Sequence, residues 1–221
     1  MTTALDLGQA GRSDHYQYVN APGQFGVIHQ PGVNLAVWPR TLDHRWSGLL
    51  RRLLRERVHA VATLEPVDVE WLLLTEFARL SETDADSIEL IRDIQNQARV
   101  FAELAGSATV TMRLEVVNTD ECRLFHVDRH RLRLLCTYAG PGMEWLGNLQ
   151  VNRAALGHGS NQRVLRQGRS RQLAPGHVAV LKGELYPGNA GNGIVHRSPT
   201  IGIAGQQRLR LRFDQPVAAV S

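Results

Sequence analysis

His126 and Asp128 stand two positions apart in Phe125-His126-Val127-Asp128, and a third candidate ligand, His196, follows 70 residues later. On a β-strand, positions i and i+2 share a face, so His126 and Asp128 project side by side. A histidine brought from a distant strand onto that face completes a set of two imidazoles and one carboxylate. Such a set caps one face of an octahedral ion and leaves three adjacent positions open. These ligand types suit non-haem Fe(II), whose open positions take O2 and a chelating cosubstrate. His130 extends the string to His-Val-Asp-Arg-His. If the strand continues, His126, Asp128 and His130 share one face and offer a three-ligand zinc site. A turn after Asp128 leaves His130 at the rim instead.

These residues need a β framework, and the sequence supplies one after Gly106. Residues 108–117 (ATVTMRLEVV) alternate and are rich in β-branched side chains, which predicts a strand. The strings CRLFHVD, RLRLLCTY, GNLQVNRAAL, HVAVLKGE, GIVHRSP and QRLRLRFD continue the series, separated by Gly, Pro and Asn. Many short strands without intervening helices predict a sandwich, jelly roll or barrel. The span from Arg153 to Arg171 carries Gly157, Gly159 and Gly168 and reads as a long loop between strands. Before Gly106 the period is helical. Leu42, Trp46, Leu49, Leu50, Leu53 and Leu54 recur at three- and four-residue steps. A second helix opens near Pro66, and a third runs from Asp84–Asp86 to a stop at Gly106. The expected division is an arm with a short strand over 1–40, a helical segment over 41–106, and a β core over 107–221, together making one α+β domain.

Composition removes several function classes. The chain has 221 residues, 43% apolar and 21% charged, enough to bury a sizeable core. Its formal charge of +4 is too mild to imply nucleic acid, and its arginines are not interleaved with aromatics. One of the 25 cations is a lysine, Lys182. Two cysteines, Cys122 and Cys136, exclude a disulfide framework and a four-thiolate zinc site, and read as reduced, buried thiols. There is no Gly-x-Ser-x-Gly elbow and no phosphate-binding glycine loop. No stretch has the length of a membrane span and no signal peptide is evident, so the expectation is a cytoplasmic protein.

At this point the chain resembles the Fe(II)/2-oxoglutarate-dependent dioxygenase superfamily over residues 108–214. The pattern is His-x-Asp closing one strand, a distal histidine, and a basic residue in the final strand. Here these are His126, Asp128, His196 and Arg208. The resemblance implies a double-stranded β-helix (a cupin-like jelly roll) with supporting N-terminal helices. It also implies Fe(II) held by His126, Asp128 and His196, and 2-oxoglutarate as cosubstrate. The strings FHVD, RLRLLCTYAGPGMEWL, LKGE and VHRSP identify the chain more narrowly as a member of a bacterial domain-of-unknown-function family, number 1826 in that series.

The cosubstrate's far carboxylate has two candidate partners, Arg208 and Lys182, and the Tyr138 hydroxyl is either a further hydrogen-bond partner of the cosubstrate or a core tyrosine with its hydroxyl satisfied. Arg208, Arg210 and Arg212 alternate with Leu209, Leu211 and Phe213. If the arginines face the interior, Arg208 clamps a carboxylate bidentately; if the apolar set does, they face outward and clamp nothing. The outward case fits an alternative reading, a non-oxidative cupin-like metal or small-ligand binding protein linked to zinc homeostasis. Glu144 and Trp145 follow the Gly140-Pro141-Gly142 turn and are placed at the mouth of the site.

Overall fold

The computed structural model describes residues 15–80, 84–202 and 205–216. Ten strands appear among them: β1 (Tyr16–Tyr18), β2 (Leu35–Trp38), β3 (His59–Leu64), β4 (Val110–Val117), β5 (Leu132–Ala139), β6 (Glu144–Leu146), β7 (Arg171–Gln172), β8 (Val178–Lys182), β9 (Val195–Arg197) and β10 (Arg208–Asp214). Seven make a large sheet in the order β1-β2-β8-β5-β10-β4-β3, and three make a small sheet in the order β7-β6-β9. The segment around His126 joins the edge of the small sheet through a bridge to His196. From β4 onward the chain therefore passes repeatedly between the two sheets. It runs from β4 to the His126 segment, then β5, then β6 and β7, then β8, β9 and β10. Two four-stranded sets wound in this way are a double-stranded β-helix, the jelly-roll arrangement.

Strand alternation assigns each face of the large sheet. Leu132, Leu134, Cys136 and Tyr138 of β5, Val178 and Val180 of β8, and Leu209, Leu211 and Phe213 of β10 turn toward three helices. These are α1 (Ser47–Arg55), α2 (Val69–Arg79) and α3 (Ala85–Ala105). The Asp84 carboxylate accepts the Ser87 amide at 2.9 Å and starts α3, and Gly106, at φ 58°, ends it. The inward stripe of α3 is Leu90, Ile91, Ile94, Ala98 and Phe101, and Phe101 stacks on Phe213 at 6.2 Å. The opposite face of the sheet meets the small sheet through Leu35, Val37, Ala179 and Leu181, packed against Met143, Trp145, Leu173 and Ile194. The large sheet thus has two interiors, one against helices and one inside the jelly roll.

Several local expectations are corrected. The 41–106 stretch is not purely helical, because His59–Leu64 forms β3 and pairs antiparallel with β4. The first strands also tie part of the N-terminal arm to the sheet, through β1 and β2, while residues 1–14 lie outside the described ones. CRLFHVD contributes an isolated bridge rather than a full strand. GNLQVNRAAL forms two 3-10 turns, at Asn148–Gln150 and Arg153–Ala155. The 153–171 span holds a short helix, Asn161–Val164, and shares a small core of Phe125, Leu146, Val151, Ala155, Val164 and Val195. Cys136 is buried as expected, but Cys122 is exposed.

His15 gives this fold a pH dependence. It is buried, and the Asn34 amide donates to its Nδ1 at 3.0 Å. Burial, helped by the charge of Arg153, pushes its pKa down to about 4. The folded chain then holds a neutral ring, whereas the unfolded chain takes up a proton near pH 6.5. Stability from this group is complete above about pH 6.5 and is lost as pH falls toward 4. Urea denaturation of the wild type should show about 2 kcal/mol lost from this source between pH 7.5 and pH 5, and His15→Asn should lose correspondingly less.

Candidate metal centre

His126 and His196 are directly opposed in an antiparallel bridge, each backbone N–H donating to the other's carbonyl at 3.0 Å. Opposed residues in such a pair send their side chains to the same face. The two imidazole centroids lie 4.5 Å apart. Asp128, two positions beyond His126, reaches the same point. Its Oδ1 is 3.4 Å from His126 Nε2, and its Oδ2 is 3.2 Å from His196 Nε2. These spacings fit donors sharing one ion at about 2 Å each. Among the described residues, His126, Asp128 and His196 are the group whose ligand atoms converge in this way.

The surroundings orient the donors. His126 Nδ1 lies 2.9 Å from the Leu124 carbonyl, and His196 Nδ1 lies 3.1 Å from the Ile194 carbonyl. A carbonyl only accepts, so each Nδ1 carries a hydrogen and each Nε2 is the nitrogen turned toward the centre, available to a metal when deprotonated. The Asp128 carboxylate is held through Oδ2, the oxygen nearer His196. Oδ2 accepts from His130 Nε2 at 2.9 Å and from Arg133 Nη1 at 2.5 Å. Arg133 is itself fixed on Asp214, by Nε at 2.6 Å and Nη2 at 3.1 Å. His130 therefore braces the carboxylate and does not complete a ligand set with His126 and Asp128. Burial raises the Asp128 carboxyl, but hydrogen bonds from His126, His130 and His196 outweigh it and hold the group far below the usual carboxylate range. Burial lowers the His126 imidazole, and the Asp128 hydrogen bond and the Leu124 carbonyl more than reverse this. The Asp128 turn also needs Gly183, where a Cβ would come within 2.3 Å of the His130 carbonyl oxygen and 2.8 Å of that of Asp128.

The final strand places its arginines inside the jelly roll. Arg208, Arg210 and Arg212 line one cavity with His126, Asp128, His196, Arg133, Leu135, Met143 and Arg197. Arg208 is 2% exposed, and its Nε and Nη1 have no hydrogen-bond partner among the described residues. Burial, with the neighbouring charge of Arg210, lowers its pKa to about 10. A buried guanidinium without an acceptor is costly, and an anion in the cavity would satisfy it.

Tyr138 and Lys182 are placed elsewhere. Tyr138 faces the helices, donating to Asp93 Oδ2 at 2.6 Å and accepting from Gln97 Nε2 at 2.7 Å. Lys182 lies on the same face of the sheet as Val180, donates from Nζ to the Gln30 carbonyl at 3.0 Å and sits over the Tyr186 ring. Neither side chain enters the cavity, because the strand alternation that brings in Arg133 and Leu135 turns these two away. Trp145 is also buried, in the core between the sheets rather than at a mouth, and Glu144 is held by Arg197 at 2.7 and 3.0 Å. Sequence reading misses Arg133 and Asp214. Their only local signal is an arginine on the strand that follows Asp128 and an acid closing the last strand.

Gly140 permits the close passage of β10. It has φ 78°, and a Cβ there would lie 2.2 Å from the Gln207 carbonyl oxygen and 3.1 Å from Arg208 Cγ. Gly140→Ala should lower Tm by about 4–8 °C, combining left-handed strain with that clash. Thermal unfolding followed by circular dichroism checks this.

A family profile described as "Protein of unknown function (DUF1826)" matches residues 20–214. The chain belongs to this family. The match takes in every element that builds the centre, from β2 to the end of β10. No curated protein matches this DUF1826 chain in sequence. Several solved structures resemble it in part. A Pseudomonas putida prolyl-4-hydroxylase is 12% identical over 86% of this chain and 98% of that one, with a TM-score of 0.42. The Arabidopsis thaliana dioxygenase for auxin oxidation 1, in complex with 2-oxoglutarate, is 15% identical over 73% of this chain, with a TM-score of 0.39. The DUF1826 chain spans 65% of that dioxygenase's length. The non-heme alpha ketoglutarate dependent carbocyclase SnoK from nogalamycin biosynthesis is 10% identical over 81% of this chain and 78% of that one, with a TM-score of 0.34. Among the described residues, no helix is long and apolar enough to cross a membrane.

Proposed function

We propose that this DUF1826 protein is a mononuclear Fe(II)- and 2-oxoglutarate-dependent oxygenase. One observation carries the reading. The cavity that holds the convergent His126, Asp128 and His196 donors also holds the unpartnered guanidinium of Arg208. A metal-binding jelly roll without a cosubstrate has no use for a desolvated cation aimed into its cavity. A dicarboxylate that chelates at one end and needs a cationic partner at the other accounts for both features.

The residues present fit both groups. His126 Nε2, Asp128 Oδ1 and His196 Nε2 would hold the metal, and Arg208 would hold the far carboxylate of 2-oxoglutarate. When bound, Fe(II) and 2-oxoglutarate supply an O2-dependent oxidation: the cosubstrate loses CO2 to become succinate, one oxygen atom enters succinate, and the other enters a C–H bond of the substrate. The protein's part is positioning. The Leu124 and Ile194 carbonyls fix the imidazole tautomers, while His130 and Arg133 keep Asp128 Oδ1 turned to the centre. Leu135 and Met143 give the cavity an apolar wall that limits water. The free space at the centre measures about 60 Å³.

The reading is tested by adding Fe(II), ascorbate and 2-[1-14C]oxoglutarate under air and measuring released CO2. Slow release without added substrate is expected, and it should cease in His196→Ala. Metal bound at one ion per chain, with neither release nor binding of 2-oxoglutarate, would support the cupin-like metal-binding alternative.

A further inference from the structure

Leu35, Val37, Ala179 and Leu181 of β2 and β8 pack against the small sheet and β10 faces the metal cavity, whereas β3, at the edge of the large sheet, carries Val61, which is 40% exposed. On the face shared by Arg212, Arg113 and Val61 the side chains are basic beyond what their partners neutralise. Arg212 stands directly opposite Arg113 across the β10–β4 ladder, and Arg210 stands opposite Glu115. Like charges directly opposed in an antiparallel pair repel.

Two carboxylates serve this array, and each is shared. Glu115 Oε1 accepts from Arg210 Nη2 at 2.6 Å, and its Oε2 accepts from Arg113 Nη1 at 3.4 Å. Asp214 takes two hydrogen bonds from Arg133, and Arg212 Nε lies 3.0 Å from its Oδ2 without a hydrogen bond. Arg210 Nε is likewise buried and unpartnered among the described residues. Glu121 stands 3.9 Å from Arg210 but is 60% exposed. Five guanidiniums, of Arg113, Arg133, Arg208, Arg210 and Arg212, thus face Glu115, Asp214 and the outlying Glu121. Asp128, a divalent metal ion and a doubly charged cosubstrate would together change that balance by one negative charge. A surplus of one positive charge therefore remains on this face of the sheet.

We infer that the substrate carries an acidic group, a carboxylate or a phosphate, and that Arg212, which lines the metal cavity, and Arg113, opposite it on β4, bind it. This rests on the oxygenase reading for the word substrate, but the anion site stands on the arginines alone. Both guanidiniums reach solvent, with side-chain exposures of 24% and 35%, and their planar donors suit a two-pronged oxyanion. The bound group would sit between the opposed cations and relieve their repulsion.

The test is isothermal titration of the purified protein, without metal, with inorganic phosphate and separately with acetate. The titrations use wild type, Arg208→Gln, and Arg208→Gln carrying Arg212→Gln or Arg113→Gln as well, each checked for folding by circular dichroism. Wild type should bind at least one of the two probes. Stronger binding of phosphate assigns a phosphorylated substrate, and stronger binding of acetate assigns a carboxylic acid. Because both probes can also reach Arg208, the comparison is made in the Arg208→Gln protein, where adding Arg212→Gln or Arg113→Gln should weaken that binding at least fivefold. Wild type that binds neither probe overturns the inference, as does binding already lost in Arg208→Gln. A parallel titration of the Mn(II)-loaded protein with 2-oxoglutarate separates the two readings. Failure there with intact, Arg212-dependent phosphate binding removes the oxygenase reading and leaves the anion site standing.

Discussion

Asp128→Ala should lower affinity for Mn(II), a redox-stable probe of the centre, by at least about a hundredfold. Loss of groups that merely support a ligand costs tenfold to a hundredfold, and Asp128 is itself the anionic donor of the set. Its removal leaves the two imidazoles of His126 and His196 and takes away the carboxylate that faces Arg133. The same substitution has a second effect that distinguishes it from a histidine change. Asp128 accepts from Arg133 and His130, so its loss leaves Arg133 with Asp214 alone. The metal-free variant should therefore be less stable than wild type, by less than the roughly 3–5 kcal/mol of a buried pair broken outright, since one carboxylate remains. His126→Ala should cost metal binding with a smaller change in stability. Titration with Mn(II) and urea denaturation of the same samples check both statements.

Arg208→Met should separate ligand binding from stability in the opposite sense. Arg208 is 2% exposed with two unpartnered nitrogens, so the metal-free protein carries a desolvated cation with no acceptor at those atoms. An unbranched apolar side chain of similar length removes that cost. The variant should be as stable as wild type or more so, with Tm unchanged or raised by a few degrees. Its affinity for 2-oxoglutarate should fall about tenfold to a hundredfold, the worth of one or two charge-assisted hydrogen bonds. Mn(II) affinity should stay within twofold, because Arg208 has no hydrogen bond or ion pair with the ligands. A stability gain with a binding loss marks a residue kept for its ligand rather than for the fold.

The candidate ligands are legible in the sequence because the His-x-Asp spacing and the strand period are both local. His126 and Asp128 share a face by the two-residue rule, whatever the rest of the chain does. The partner of that strand is not legible. Pairing His126 with His196 joins positions 70 residues apart, and no local pattern fixes such a register. The facing of Arg208 is ambiguous for a different reason. Alternation shows that β10 has one apolar and one basic face, but an apolar face points inward only when there is one interior. Here there are two, and Leu209, Leu211 and Phe213 fill the one against the helices, leaving the arginines to the other. The same alternation accounts for the misplaced Tyr138 and Lys182. Each lies near the centre along the chain, yet shares its face with Cys136 or Val180, which pack against the helical layer. The β3 strand escapes sequence reading because HAVATL is short and flanked by helices, so its pairing with β4 is visible only in space.

Optical titration under anaerobic conditions tests the central claim most directly. Adding Fe(II) and then 2-oxoglutarate to the wild-type protein should develop a weak visible charge-transfer band, saturating at one cosubstrate per chain. The band should be absent from His126→Ala and His196→Ala, and in Arg208→Met it should need about tenfold or more extra 2-oxoglutarate to reach half its height. A wild-type protein that binds Fe(II) at the triad and shows no band, with no retention of 2-oxoglutarate by equilibrium dialysis, would contradict the account.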